Sequence, residues 1–161
     1  MSGRFPPSRL VSGGQTGADR AALDWAVRHG VPHGGWCPAG GLAEDRPDPP
    51  GLLDDYPGLR ATPTAEYAVR TSWNVRDSDA TLLLVPPGHA LTGGTAYTRD
   101  EAVRLGRPHL MTDGTDPEAV LDWLRDGLVL NVAGPRESRV PGTYDCTTDL
   151  LDALLRLSDE G

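Results

Sequence analysis

Residues 9–30 read RLVSGGQTGADRAALDWAVRHG. A short apolar strand, Arg9 to Val11, runs into a glycine turn and then into a helix reaching about His29. The helix is legible from spacing alone. Ala18, Ala22, Trp25, Ala26 and His29 fall on one face, while Asp19, Arg20 and Arg28 lie off it. Thr16 and Asp19 have the spacing of a capping box, and Gly30 supplies the residue type that ends a helix in the left-handed region.

Working outward, the same grammar repeats. Residues 33–38, HGGWCP, predict a second strand, and the stretch from Ala39 to Ala61, rich in Pro and Asp, predicts an irregular loop. Thr62 followed by Pro63 predicts an N-cap and first turn for a helix through about Val75. ATLLLVP (80–86) is apolar without alternation, as expected of a strand covered on both faces. LTGGTAYTRDEAVRLG (91–106) is a second glycine turn and helix, and PHLMT (108–112) a further strand. Asp116 before Pro117 caps a helix carrying Val120, Leu121 and Leu124. LVLNVAGP (128–135) is the last strand, and the loop RESRVPGTY (136–144) leads into a helix bearing Leu150, Leu151, Leu154, Leu155 and Leu157. Alternating strand and helix predict an α/β doubly wound parallel sheet of about five strands with helices on both faces, in one domain over residues 1–161 with a flexible start at 1–8. The leucine surplus of the last helix predicts a homo-oligomer, packing inside the monomer being the alternative.

Composition narrows the function. The chain has 161 residues and net charge −8, and all its Lys plus Arg, 15 residues, are arginine. Such a surface repels a phosphate backbone, so nucleic acid is not an expected partner, whereas a small anionic ligand answers to local fields. No apolar run approaches the ~20 residues of a membrane span, and the first residues lack the apolar core of an export signal, which predicts a cytoplasmic protein. Cys37 and Cys146 and the four histidines show no metal spacing, so no metal ligand is assigned.

The two glycine turns are where chemistry is expected. Both open helices at the carboxyl edge of the sheet, where free amides and the absence of Cβ atoms suit an anion such as phosphate. Gly13, Gly14, Gln15, Thr16 and Gly17 form one turn, and Gly93, Gly94, Thr95 and Thr98 the other. Simple helix capping is the competing reading for Thr16 and Thr95. In EYAVRTSWNVRDSD (66–79), Arg70 and Asn74 share a helix face. Arg70 either clamps an anion or pairs with Glu66. Asn131 stands near the end of the last strand, and Gly134, Arg136, Glu137, Ser138 and Arg139 lie in the polar loop after it, a candidate ligand lid with an ordinary surface loop as the alternative.

Taken together, SGGQTGADRAALDWA, GGWCPAGGLAED, YAVRTSWNVRDSDATLL, LTGGTAYT and LNVAGPRESRVPGTY resemble the molybdenum carrier family, over about residues 9 to 157. The resemblance implies a Rossmann-like homo-oligomer. It also implies binding of the molybdenum cofactor, a pyranopterin carrying a phosphate and molybdenum, as cargo passed to molybdoenzyme apoproteins. Under that reading the two glycine turns hold phosphate or oxo groups, Arg70 and Arg136 supply charge, and Asn74 and Glu137 read the pterin edge. Ala39 and Gly41 depart from the family pattern, standing where basic residues are common. The wider superfamily includes cytokinin-activating phosphoribohydrolases, which makes nucleoside monophosphate hydrolysis, or nucleotide sensing, the alternative function. Those enzymes carry a catalytic glutamate three residues after a Gly-Thr pair; here Gly94-Thr95 is followed at that spacing by Thr98, so no catalytic residue is assigned.

Overall fold

The computed structural model describes residues 4–160. In chain order its elements are β1 (Arg9–Val11), α1 (Ala18–His29), β2 (His33–Cys37), α2 (Leu52–Asp55), β3 (Leu59–Ala61), α3 (Tyr67–Arg76) and β4 (Ala80–Leu84). There follow α4 (Gly93–Arg104), β5 (His109–Thr112), α5 (Pro117–Trp123), β6 (Val129–Ala133) and α6 (Thr143–Glu160). The strands form a six-stranded sheet in the order β3-β2-β1-β6-β4-β5, and every pairing is parallel. The doubly wound α/β architecture is the expected one, with one strand more. The extra strand, β3, is three residues hidden in the stretch expected as loop; pairing with β2, not its own composition, makes it extended.

All five residues of β4 are buried, as an unbroken apolar run requires when helices cover both faces. On one face α1, α5 and α6 enclose a core built on Trp25, Leu82, Leu84, Leu130, Leu151 and Leu154. Trp25 is fully buried, tilted against Phe5 with ring centroids 5.3 Å apart, and its Nε1 donates to Asp152 at 2.9 Å. On the other face α3 and α4 lie side by side. Gly30 ends α1 with φ 68°, and Asp116 caps α5 by accepting from the Ala119 amide, both as expected.

Two local expectations are corrected. The capping box of Thr16 and Asp19 does not form: no side chain caps α1, because both residues are engaged elsewhere. Thr62 is no N-cap either; its hydroxyl donates to the Thr64 carbonyl, and α3 begins only at Tyr67. Of the expected flexible start at 1–8, Met1–Gly3 fall outside the described residues, and Phe5 is buried with its carbonyl accepting from Ser158 Oγ. Leu150, Leu151 and Leu154 are buried and Leu155 packs against the same core, while Leu157 is half-buried, so most of the leucine surplus packs inside the monomer, the alternative reading.

Candidate functional site

The strand order places the site. β6, last in sequence, lies between β1 and β4, so the loops leaving these three neighbouring strands meet at one carboxyl edge. α3, which carries the chain from one wing of the sheet to the other, closes the crevice from the side. The cleft formed there is lined by Gly13, Gln15 and Asp19, by Arg70, Thr71 and Asn74 of α3, and by Thr92, Gly94, Thr95 and Thr98 around the start of α4. Residues 131–136 and Arg139 complete it.

The first glycine turn is satisfied from within. The Gly14 amide donates to Ser12 Oγ, the Gln15 amide to Asp19 Oδ2 at 3.4 Å and the Thr16 amide to Gln15 Oε1 at 3.1 Å. Asp19 is also bonded by the Gly13 amide. The carboxylate of Asp19 thus takes the place an external anion would hold, and the expectation that this turn offers free amides is corrected. Gly13 lines the cleft, but Gly14 and Gly17 do not. A Cβ on Gly14 would stand 2.7 Å from Leu52 Cδ1, in the core, and one on Gly17 would stand 2.3 Å from the Pro135 carbonyl. Arg70 donates to the Gly13 carbonyl at 2.7 Å and lies 3.7 Å from Asp19, not paired with Glu66. Burial pushes the Asp19 carboxyl up to about 6, against the pull of Arg70 and of the two amides.

The second turn is the open one. Thr92 precedes α4 in an extended conformation and no side chain caps the helix, so the amides of its first turn face the cleft edge without a capping acceptor. Nothing lies within 4 Å of where a Cβ on Gly94 would stand. Gly93 has φ 56°, and Arg139 lies against it, its Nη1 2.6 Å from the position a Cβ would take. Arg139 is exposed and has no carboxylate partner among the described residues. Arg136 is 3.9 Å from Glu44, too far for a hydrogen bond, and its guanidinium lies 5.6 Å from the Tyr67 ring centroid. Arg70 lies 5.1 Å from the same ring. Three arginines and one carboxylate therefore line the cleft, a locally positive site on an acidic protein.

One polar group in this cleft has no partner. Gln15 is 5% exposed, and its Oε1 accepts from the Thr16 amide and, at 2.9 Å, from the Glu44 amide. Two donors to the oxygen fix the orientation of the amide group. Its Nε2, left without a partner, belongs to a side chain that lines the cleft.

Of the residues singled out from sequence, Gly13, Gln15, Arg70, Asn74, Gly94, Thr95, Thr98 and Arg136 line the cleft, and Gly14, Thr16, Gly17, Gly93, Glu137 and Ser138 do not. Asn74 is committed to β2, its amide accepting from the Trp36 N–H at 2.7 Å and donating to the Trp36 carbonyl at 2.9 Å. Glu137 accepts from the Gly142 and Tyr144 amides at the start of α6, so neither residue is free to read a ligand edge as expected. Thr16 and Ser138 both bond Glu44, latching the loop after β2 to the loop after β6. Thr98 Oγ1 donates to the Gly94 carbonyl at 2.8 Å. Sequence reasoning did not assign Asp19 to the site, and it placed Asn131 and Arg139 in the cluster after the last strand without giving either a ligand role. Asn131, a polar residue inside an apolar strand, carried the clearest signal: it is 2% exposed and pairs with Thr81 across to β4.

A family model, the circularly permutated YpsA SLOG family, matches residues 10–155. The fold is similar to the crystal structure of a "Putative molybdenum carrier protein" from Syntrophus aciditrophicus SB. The match has a TM-score of 0.82 and 39% identity, covering 92% of this chain and 95% of that one. No curated protein matches.

Proposed function

The chain belongs to the circularly permutated YpsA SLOG family, and from that premise we propose that it is a non-catalytic carrier of a phosphate-bearing ligand, with the molybdenum cofactor as cargo. The observation that carries the reading is the junction of an uncapped helix N-terminus with Arg70, Arg136 and Arg139 in one cleft, beside the unpartnered amide of Gln15. A helix N-terminus favours anions through its amides and dipole, and arginine matches phosphate geometry with paired hydrogen bonds. The name of the similar Syntrophus protein supports molybdenum-related cargo. These residues fit the phosphate end of such a cargo. Neither cysteine lines the cleft, and no group of three or more His, Cys, Asp or Glu suited to a metal ion occurs among the described residues. The grip is therefore on the phosphate and organic part.

The position of Thr98 favours carriage over phosphoribohydrolysis. A hydroxyl already donating to a backbone carbonyl supplies no carboxylate for a developing oxocarbenium charge. The next glutamate in sequence, Glu101, does not line the cleft and is held by Arg104 at 2.7 and 2.8 Å, which with Ser72 lowers its carboxyl to about 2. Incubation with AMP is expected to release no free base above background. No described helix is long and apolar enough to cross a membrane, and a cytoplasmic homo-oligomer handing cargo to apoenzymes completes the proposal.

The test is mass spectrometry and metal analysis of protein purified without oxygen. A co-purifying phosphate-bearing pterin with molybdenum is the expected result. Protein that neither retains nor takes up such a compound when it is offered contradicts the reading.

A further inference from the structure

Resting on the reading of the cleft as an anion site, we propose that it selects phosphate-type anions that arrive with a proton, and rejects fully ionised oxyanions, because Asp19 stands in the wall as a hydrogen-bond acceptor. An ionised carboxylate has no hydrogen to donate. Facing a sulfate or molybdate oxygen it sets lone pair against lone pair and charge against charge. Hydrogen phosphate has the same tetrahedral shape and the same double charge as sulfate, and it keeps one O–H near neutral pH. That O–H turns a repulsive contact into a charge-assisted hydrogen bond.

The surroundings of Asp19 leave it in this role. Its side chain is 10% exposed and lines the cleft beside Gln15 and Arg70. The charged groups facing it are Arg70 from α3 and, along its own helix, Arg20, which is itself held by Asp45 at 2.8 Å. Arg136 and Arg139 of the loop after β6 line the same cleft; β6 contributes the neutral Asn131, and Thr92 with Gly94, Thr95 and Thr98 of α4 completes the lining on that side. The unpartnered Nε2 of the buried Gln15 is an independent sign that a ligand acceptor belongs here. The ligand must therefore offer oxygens to Gln15 and the arginines and a hydrogen to Asp19. Hydrogen phosphate meets both demands. A phosphate monoester, whose second proton leaves near ~6, meets them by binding together with one proton, shared between its oxygen and Asp19. The raised carboxyl of Asp19, at about 6, suits that sharing.

The test is calorimetric titration of the full chain at pH 7.5 with inorganic phosphate, sulfate and molybdate. Phosphate is expected to bind at least about tenfold tighter than either of the others, a gap of ~1.4 kcal/mol. Asp19→Asn, which keeps one acceptor oxygen for the amides of the turn and makes its other terminal atom a donor, should close the gap to less than about threefold by improving sulfate. In wild-type protein, lowering the pH from 7.5 to 5 protonates Asp19 and should tighten sulfate, whose own charge does not change over that range. Sulfate binding as tightly as phosphate at pH 7.5, with both lost in Gly94→Val, overturns the proton requirement and leaves the anion cleft standing. No binding of any of the three at tens of millimolar overturns the cleft reading and this proposal with it.

Discussion

Asp19 shows how one residue sets both the stability and the electrostatics of the site. Its pKa of about 6 in the folded chain compares with ~3.9 for an unfolded aspartate, so between those values the folded state holds more protons. Its contribution to stability is therefore fully present below about pH 4 and is lost as pH rises through about 6. Glu101, lowered to about 2, has the opposite sign: its contribution is present above ~4.5 and is lost as pH falls. Urea unfolding at pH 4, 5, 6 and 7 should show wild-type protein losing stability relative to Asp19→Asn as pH rises, with parallel profiles contradicting this assignment. Arg136 is the complementary case. Its link to Glu44 is a long, half-exposed contact of the class contributing ~0–1 kcal/mol, so Arg136→Ala should leave the fold intact. The same change should weaken inorganic phosphate by roughly 1.5–3 kcal/mol in calorimetry, the scale of a charge-assisted hydrogen bond. A loss below that range makes Arg136 peripheral.

At the level of elements, the two strand-turn-helix units look alike in sequence and differ in use. β1 leads into a turn whose amides are consumed by Ser12, Asp19 and Gln15, whereas α4 begins with no side-chain cap at all. Valine at Gly94 projects into open cleft and should abolish phosphate binding with the melting temperature nearly unchanged. Valine at Gly14 meets Leu52 and a backbone φ of 79°, so it should lower stability by about 1–3 kcal/mol, read by denaturant unfolding, without placing any atom in the anion's space. If Gly14→Val abolished binding in a fully stable protein, the assignment of roles would be reversed. The α1–α6 packing has its own probe. Trp25 is fully buried between Phe5 and His29, and Trp25→Ala should cost about 3–5 kcal/mol in unfolding free energy with ligand affinity of the surviving folded protein preserved.

Across the whole molecule, what was legible in the sequence is what local periodicity encodes. The apolar stripe of α1, the unbroken run of β4, Gly30 and the Asp116-Pro117 start of α5 each stand where their spacing puts them. β3 escaped because three residues among prolines and aspartates have no period to detect, and only pairing with β2 makes them a strand. The site was legible in its elements and not in its bonds. Sequence places Arg70, Gln15 and Gly94 at one edge, yet whether an amide is free depends on contacts over long separations, such as Glu44 with Ser138 or Asn74 with Trp36, which no spacing rule carries. In the proposed carrier the anion binds at the start of α4 and not in the first glycine turn. Backbone and side-chain amide NMR during titration with inorganic phosphate tests it most directly. Saturating shifts are expected at Gly94, Thr95 and the Gln15 side-chain amide, with the Gly14 and Thr16 backbone amides little changed. Shifts centred on Gly13 to Gly17, with α4 silent, would contradict it.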